Sequence, residues 1–316
     1  MAYNLKEIVK KKTRFVSGHR MCSGCGAPSV VNGVLSALKE EDNVVITSAT
    51  GCLEVSSCIY PYTSWKHSSF IHSAFENAGA TASGITAAYN VMKKKGKLDK
   101  NKETKVIAFG GDGGTYDIGL QSLSGAMERG HDMVYVCYDN GAYMNTGTQR
   151  SSASPHFSNT TTAPAGNVIP GKIQPRKDLT EIIVRHSIPY VAQTALLATF
   201  KDIYEKAEKA IYTKGAAFIN ALSPCPRGWG YDPSMLMEIS KLAVDTCFWP
   251  LYEVEEGIYK ISYKPAKKLP IEDFLKPQQR FKHVFYPGNE WMIEQIQNEV
   301  DKKWQYLLNM EEMTNK

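Results

Sequence analysis

The chain has 316 residues, a formal net charge of +5 and the composition of a soluble globular protein. This length is enough for one large or two small domains, either of which can bury a sizeable core. The positive charge is mild and spread out, which favours an anionic small ligand or an acidic protein partner over a nucleic-acid groove. No apolar run approaches about 18 residues, so we expect no membrane span. We see no secretory signal and expect a cytoplasmic protein.

Helical and strand patterns alternate through the first half of the chain. The predicted elements are a helix over 29–38, a strand over 44–47, a helix over about 73–92, a strand from 106 that ends in a glycine turn, a further helix, and a buried strand over 134–139. This alternation predicts an α/β fold, a doubly wound and mainly parallel sheet.

A long polar segment separates these elements from the rest. Residues 141–177 are rich in Ser, Thr, Asn, Gly and Pro, and so long a loop in a compact domain is usually functional. The elements predicted beyond it are helix 179–186, strand 189–192, helix 199–212, strand 218–222, a hairpin over 253–263 that turns at Glu256 and Gly257, and helix 289–308. Beyond residue 230 the alternation of helix and strand patterns becomes less regular. We therefore predict a core domain over residues 1–235 and an extended C-terminal arm, 236–316, that lies on the core or on a partner.

The glycine turn GGDGG at 110–114 follows a buried strand. Glycines at such a position let the backbone approach a phosphate, and the following helix presents free N–H groups to it. Asp112 adds a hard oxygen ligand of the kind that Mg²⁺ uses when it bridges a pyrophosphate. Asn140, at the end of the next strand, could supply a second oxygen from the same crevice. The pattern predicts a phosphate-and-metal crevice.

Four of the seven cysteines lie in turns that we expect at one edge of the sheet. Cys22 and Cys25 form a CxxC pair in a glycine-rich loop, and Cys52 and Cys225 each follow a strand. Strand-end loops of a parallel sheet open on one edge, so the four thiols could converge on a [4Fe–4S] cluster or on structural zinc. A redox-active CxxC motif has the same spacing and is one alternative. Unrelated buried cysteines are another. The cysteines that we expect to be ordinary buried thiols are Cys58, Cys137 and Cys247.

Six stretches in chain order resemble the beta subunits of pyruvate:ferredoxin oxidoreductase (pyruvate synthase), within the 2-oxoacid:ferredoxin oxidoreductases. The resemblance runs from about residue 15 to 235, with a similar arm beyond. The stretch from the GDG turn to Asn140 also resembles the thiamine-diphosphate motif. The six stretches are 21–26 (MCSGCG), 49–52 (ATGC), 75–77 (FEN), 111–119 (GDGGTYDIG), 143–147 (YMNTG) and 223–226 (SPCP).

The resemblance implies a thiamine-diphosphate-binding fold and roles for individual residues. Asn145 matches a residue close to the reactive thiazolium and is the catalytic candidate. The implied Mg²⁺ ligands are Asp112, the side chain of Asn140 and the backbone carbonyl of Ala142. The implied ligands of a proximal [4Fe–4S] cluster are Cys22, Cys25, Cys52 and Cys225. The implied cofactor-binding positions are Gly51, Cys52, Gly111, Asp112, Gly113, Gly114, Asn140, Ala142, Asn145 and Thr146.

The resemblance also implies an active site shared between chains. An alpha subunit would supply the glutamate that activates thiamine and much of the substrate pocket. Gamma- and delta-type subunits with ferredoxin-like clusters, and an external ferredoxin, would accept the electrons of an oxidative decarboxylation. Coenzyme A would take the acyl group if the substrate is pyruvate.

Two positions depart from the family pattern and leave the substrate open. Ala27 stands where single-chain relatives carry a glutamate, and Gly141 stands where close relatives often have one. Small 2-oxoacids besides pyruvate, including oxalate, therefore remain candidate substrates. A non-redox thiamine decarboxylase or carboligase and a zinc-stapled binding module are two competing hypotheses for the function. For the following residues, a place near the cofactor or cluster and a plain surface or packing role are both open: His67, His72, Glu54, Glu76 and Arg227.

Overall fold

The computed structural model describes residues 3–99 and 101–316, which are organised around an eight-stranded sheet. The strands are β1 Asn43–Ala49, β2 Cys58–Ile59, β3 Tyr62–Thr63, β4 Ser69–Ser73, β5 Thr104–Gly111, β6 Met133–Asp139, β7 Tyr190–Ala195, β8 Ala216–Leu222, β9 Leu251–Glu255 and β10 Ile258–Tyr263. The sheet has the order β10-β9-β7-β8-β6-β5-β1-β4, and β2 and β3 form a separate hairpin. The strands from β7 to β4 pair in parallel, while β9 and β10 are antiparallel. The predicted doubly wound, mainly parallel α/β fold is confirmed.

Helices cover both faces of this sheet. They are α1 Leu5–Ile8, α2 Gly26–Leu35, α3 Cys52–Ser57, α4 Ala78–Lys94, α5 Leu120–Glu128, α6 Leu179–Val184, α7 Lys201–Tyr212, α8 Pro226–Trp229, α9 Leu236–Asp245, α10 Ile271–Leu275 and α11 Glu290–Thr314. A π-helical segment, Gly113–Ile118, precedes α5. In the described ranges, no helix is long and apolar enough to cross a membrane.

The middle strands are buried on both sides, as a parallel sheet between two helical layers requires. Every residue of β6 and β8 is buried. Successive side chains point to opposite faces, so Val134 and Val136 pack in one core with α2 and α7, while Tyr135 and Cys137 pack in the other with α4 and α5. This double burial explains why the strands read as continuous apolar runs.

Several predicted boundaries are wrong. Helix α2 begins at Gly26, so Pro28 lies within its first turn, where its missing N–H would have no intrahelical partner anyway. Residues 69–73 form the edge strand β4, and the helix predicted from 73 begins only at Ala78. Strand β4 is polar and largely exposed, so it lacks the apolar pattern of the buried strands.

The chain beyond residue 230 is more regular than its sequence predicts. It contains α9, α10 and the predicted hairpin, and α11 continues to Thr314, past the predicted end at 308. Strand β9 pairs with β7, so the hairpin continues the main sheet. The division of the chain at residue 235 into a core and an arm stays a prediction.

The order of the strands places four turns at one edge. From β1 the chain moves outward to β4 and then returns to β5 and β6, so the direction of progress reverses between β1 and β5. In such sheets, ligands bind in the crevice outside the carboxyl ends of the strands at the point of reversal. The turns that follow β1, β5, β6 and β8 all lie at this edge.

Candidate functional site

A small cleft lies at this reversal point, between the ends of β1, β5 and β6. It contains about 330 Å³ of space, part of it open to solvent. The structure brings all ten predicted cofactor-binding positions to its wall, and their roles stay predictions. The other residues that line it are Thr50, Phe75, Tyr138, Tyr143 and Met144.

Glycines line one side of the cleft with backbone. A Cβ atom at Gly113 would lie 2.4 Å from the ring of Tyr143, and one at Gly114 would lie 2.8 Å from the carbonyl oxygen of Phe75. No side chain fits at either position, because both glycines are buried against Tyr143 and Phe75. The Tyr143 hydroxyl donates a 2.9 Å hydrogen bond to the Gly113 carbonyl and fixes this turn. The arrangement suits a phosphate group held by backbone N–H groups.

The wall also contains a weakly paired polar group. The hydroxyl of Tyr138 is buried and makes no hydrogen bond of ordinary geometry within the described residues, and only the backbone amide of Leu53 acts on it. A Cβ at Gly51 would lie 2.8 Å from this hydroxyl oxygen. Because buried polar groups are nearly always paired, the Tyr138 hydroxyl is a candidate contact for a bound ligand.

Three oxygen atoms meet on the floor of the cleft. The side-chain oxygen of Asn140 is placed 2.9 Å from Asp112 Oδ1 and 2.9 Å from the carbonyl oxygen of Ala142. No hydrogen lies between these acceptors in this orientation. Rotating the amide by half a turn would instead let its NH₂ group donate to both. With Mg–O distances of 2.0–2.1 Å, adjacent ligands of an octahedral ion stand about 2.9 Å apart. The donor set and its spacing therefore fit Mg²⁺.

Two buried carboxylates and two guanidiniums lie around this oxygen triad. Asp112 and Asp139 are both buried, and Arg176 forms an ion pair with Asp139. Burial, and next the Asp139 carboxylate, raise the pKa of Asp112 to about 8, against the opposing effects of Ser151 and Arg176. The buried Arg280 guanidinium also acts on both carboxylates, so two carboxylates face two guanidiniums. A divalent cation at the triad would favour the ionised form of Asp112.

The four predicted cluster cysteines come together beside the cleft. Burial is the main reason that the pKa of Cys25 rises to about 12, and the nearby Cys225, Cys52 and Cys22 add to the rise. The pKa of Cys52 is also raised to about 12, by burial first and then by Cys225 and Cys22. These mutual influences indicate that the four thiols lie near one another. Cys52 also lines the cleft and so belongs to both parts of the site.

Backbone amides point at two of these sulfurs. The Gly228 N–H donates to Cys225 Sγ at 3.4 Å, and a hydrogen bond from the Ala27 amide acts to lower the pKa of Cys25. N–H groups of this kind favour a thiolate and tune a bound iron–sulfur cluster. Across residues 3–99 and 101–316, no group of three or more His, Cys, Asp or Glu side chains has the arrangement needed to hold a metal ion. A [4Fe–4S] cluster binds each cysteine through a different iron, and four convergent thiols are the donor set it takes.

The remaining cysteines lie apart from this group of thiols. Cys137 is fully buried in the middle of β6, and Cys247 is buried in the C-terminal core. Cys58 is half-buried in β2, where it packs against the core. Their roles as ordinary thiols stay predictions.

Of the five residues with two possible roles, His72 and Glu54 lie at the cleft wall or next to it, and the other three lie elsewhere. His72 Nε2 lies 2.9 Å from Thr50 Oγ1, on the cleft wall, and 3.7 Å from Glu54 Oε2. Glu76 packs by its backbone against Gly119, at the end of the π-helical segment. His67 lines a separate polar pocket with Lys11 and Arg14. Arg227 is an exposed neighbour of Cys225.

The structure explains both departures from the family pattern. Gly141 has a φ of +76°, a left-handed conformation that disfavours a glutamate side chain there. Ala27 is 2% exposed within the core cluster that contains α2, so a carboxylate at that position would be buried.

Residues 49–221 match the family model of the thiamine pyrophosphate enzyme C-terminal TPP binding domain. The chain is 48% identical to the pyruvate synthase subunit PorB of Thermotoga maritima, over 99% of this chain and 98% of that protein. It is 42% identical to the ketoisovalerate oxidoreductase subunit VorB of Pyrococcus furiosus, over 97% and 98%. The fold is similar to a chain of a 2-oxoglutarate:ferredoxin oxidoreductase from Magnetococcus marinus, with a TM-score of 0.55 and 22% identity over 74% of this chain and 80% of that chain.

Proposed function

The chain belongs to the pyruvate synthase PorB family, the beta subunits of thiamine-diphosphate-dependent 2-oxoacid:ferredoxin oxidoreductases, and from this premise we propose its substrate and its metal cofactors. The substrate is pyruvate, which is oxidatively decarboxylated with coenzyme A as acyl acceptor. The chain holds Mg²⁺–thiamine diphosphate and a [4Fe–4S] cluster that passes electrons toward ferredoxin. The observation that carries this proposal is the double role of Cys52, which lines the cofactor cleft and lies among the four convergent thiols.

Each part of the cleft has a task in this proposal. Asp112, Asn140 and the Ala142 carbonyl would hold Mg²⁺, and the backbone of Gly113 and Gly114, which lines the cleft, would bind the diphosphate. Thiamine diphosphate supplies an electron sink for the loss of CO₂ from a 2-oxoacid. Asn145 and Thr146 are exposed at the cleft wall, where they can contact the substrate or the thiazolium end.

The four cysteines hold the cluster as thiolates. The amides of Ala27 and Gly228 stabilise the negative charge on Cys25 and Cys225. A [4Fe–4S] cluster held by these cysteines would accept electrons one at a time, which a non-redox decarboxylase does not need.

The site is completed by other subunits in this proposal. Among the described residues, the cleft wall contains no glutamate that could activate the aminopyrimidine of thiamine. An alpha subunit supplies that glutamate and the rest of the substrate pocket. Gamma- and delta-type subunits carry the electrons onward to ferredoxin.

The cluster assignment is tested by C225S in the assembled complex, with C58S as the matched control. Both cysteines are partly buried, but only Cys225 belongs to the convergent group. We expect C225S to lose cluster iron and sulfide, visible absorbance and ferredoxin reduction, while it keeps thiamine diphosphate binding. C58S should retain all four properties. Full iron and sulfide content in C225S would refute the cluster assignment.

The substrate is tested by assaying ferredoxin reduction with coenzyme A and each of five 2-oxoacids. The identity to a ketoisovalerate oxidoreductase subunit makes 2-oxoisovalerate the second candidate, beside 2-oxobutyrate, 2-oxoglutarate and oxalate. We expect the highest kcat/KM with pyruvate, because relatives of 47–50% identity from several organisms are pyruvate synthase subunits. A higher value with any other acid would overturn the assignment.

A further inference from the structure

The loop over residues 141–177 folds back onto the carboxylate of Asp112. The Ser151 hydroxyl donates a 2.6 Å hydrogen bond to Asp112 Oδ2, and the two residues are 0% and 1% exposed. Because Oδ2 is engaged in this way, Oδ1 is the oxygen that faces the Asn140 side chain. The Asn140 N–H also donates to Oδ1 at 3.3 Å. Ser151 and this N–H together fix which carboxylate oxygen points into the oxygen triad.

A second serine acts on the backbone of the same triad. The Ser154 hydroxyl donates a 2.6 Å hydrogen bond to the carbonyl of Gly141, the residue between Asn140 and Ala142. The Ser151 N–H donates to Ser154 Oγ at 2.9 Å, and the Ser154 N–H donates to the Ser151 carbonyl at 3.1 Å. Residues 151–154, which we name the serine turn, therefore support one carboxylate and one peptide of the triad together.

A buried lysine and a partly buried arginine hold the serine turn in place. Lys172 is 1% exposed, and its Nζ donates to the carbonyls of Ser152, Ser154 and Pro175 at 3.2, 2.5 and 3.3 Å. Arg176 donates to the Ala153 carbonyl and to the Asp139 carboxylate. Burying charged side chains opposes folding unless they are well paired, so these contacts define a tightly determined turn.

We propose that Ser151 is a positioning residue for the metal ligand Asp112 and that the serine turn is the outer shell of the Mg²⁺ site. This inference rests on the proposed function, since it needs Asp112 to bind Mg²⁺. Hydrogen-bond partners of metal ligands fix the orientation of the ligand, and their removal typically weakens metal binding about 10- to 100-fold. A serine that only stabilised the loop would not change metal affinity selectively.

The test compares S151A with S158A in the assembled complex. Ser158 is a matched control because it is also buried in this loop and its hydroxyl donates a 2.7 Å hydrogen bond, but to the Pro155 carbonyl. The Kd for Mg²⁺ is measured by titrating Mg²⁺ at saturating thiamine diphosphate and following the circular dichroism of the bound cofactor. We expect S151A to weaken Mg²⁺ binding about 10- to 100-fold. S158A should stay within about twofold of the wild type, since it leaves the outer shell intact.

Two further measurements separate positioning from folding. S151A should regain its kcat at saturating Mg²⁺, and S151T, which keeps a hydroxyl, should recover most of the Mg²⁺ affinity. If S151A does not assemble, S154A is tested in its place. We expect S154A to weaken Mg²⁺ binding as well, because it removes the hydrogen bond to the Gly141 carbonyl. A wild type that binds thiamine diphosphate equally well without Mg²⁺ would contradict the proposed function. A Mg²⁺-dependent wild type with unchanged affinity in S151A or S154A would overturn this inference alone.

Discussion

The backbone N–H of Gly26 donates a 2.9 Å hydrogen bond to the carbonyl of Pro224, which joins the two cysteine turns that are farthest apart in the chain. Cys25 and Cys225 are the immediate neighbours of these two residues. The contact is also sterically tight, because a Cβ at Gly26 would lie 2.9 Å from the Cδ and the backbone N of Pro224. The relative position of two proposed cluster ligands therefore depends on glycine at this position.

We expect G26A to move the two turns apart and to reduce the iron and sulfide bound per chain to less than half of the wild-type content. The neighbour that would have to move is backbone, so the added methyl group cannot be accommodated cheaply. Iron and sulfide analysis with visible absorbance measures the effect. G84A is the control, because a Cβ at Gly84, within α4, meets nothing within 4 Å. It should keep the cluster and raise the free energy of unfolding by about 0.5–1 kcal/mol.

A buried lysine joins α7 to the two-stranded hairpin of the C-terminal segment. Lys206 is 2% exposed and forms a 2.9 Å ion pair with Asp202, and its Nζ also donates to the Gln193 carbonyl and to Ser262 Oγ, both at 2.8 Å. Replacing one partner of a buried pair leaves the other charge without compensation. We therefore expect K206M to lower the free energy of unfolding by about 3 kcal/mol.

The measurement is the midpoint of urea-induced unfolding, with K201M as the control on the same helix. Lys201 and Glu205 form an ion pair of 3.7 Å with side chains that are 59% and 47% exposed. K201M should change stability by no more than about 0.5 kcal/mol. Equal midpoints for the two variants would show that the Lys206 pair does not stabilise the fold.

The sequence predicts the centre of the sheet better than its edges. Strands β6 and β8 are buried on both faces, so each shows a continuous apolar run that periodicity detects directly. Strand β4 lies at the edge and exposes most of its residues, so its composition resembles a loop or the start of a helix. The Glu256–Gly257 turn is a local signal that predicts the hairpin. Helix α9 is absent from the predicted elements, although Asp232 and Pro233 before it form a helix-start signal.

The candidate site divides in the same way. The glycine turn and the cysteines are local motifs, and the family resemblance assigns their residues. Ser151 and Arg176 carry no such motif, because they reach Asp112 and Asp139 across sequence separations of 39 and 37 residues. The Ser-rich composition indicates that the loop has a function, but only the folded structure shows which serine meets the carboxylate.

Asn145 is the predicted catalytic residue, and its exposed side chain lies on the cleft wall. We expect N145A to lower kcat with pyruvate at least about tenfold, because the rate depends strongly on how precisely the reacting groups are oriented. Iron, Mg²⁺ and thiamine diphosphate content should stay at wild-type levels. N167A is the control, since Asn167 is exposed in the same loop and does not line the cleft. An unchanged kcat in N145A would remove Asn145 from the catalytic set.

Glu181 joins α6 to the C-terminal segment through three tyrosines. Its carboxylate accepts hydrogen bonds from the hydroxyls of Tyr252, Tyr259 and Tyr306 at 2.9, 2.7 and 2.9 Å, and Lys303 lies 3.5 Å away. Burial acts to raise the pKa of Glu181, but Lys303 and the three hydroxyls together lower it below its ordinary value of 4.5. The folded state therefore prefers the ionised carboxylate.

This preference predicts a pH-dependent effect of E181Q. A carboxylate with a lowered folded pKa stabilises the fold above its unfolded pKa, and this stabilisation disappears as the pH falls through the folded pKa. We expect E181Q to lower the free energy of unfolding by about 2 kcal/mol near pH 7, because hydrogen bonds to a charged group are replaced by weaker ones to a neutral amide. The difference from the wild type should shrink as the pH falls below 4.5, the ordinary value of this carboxyl. Urea unfolding at several pH values measures it, with E312Q as the control because the Glu312 side chain is 71% exposed. A difference that stayed constant with pH would show that the charge of Glu181 is not what stabilises this junction.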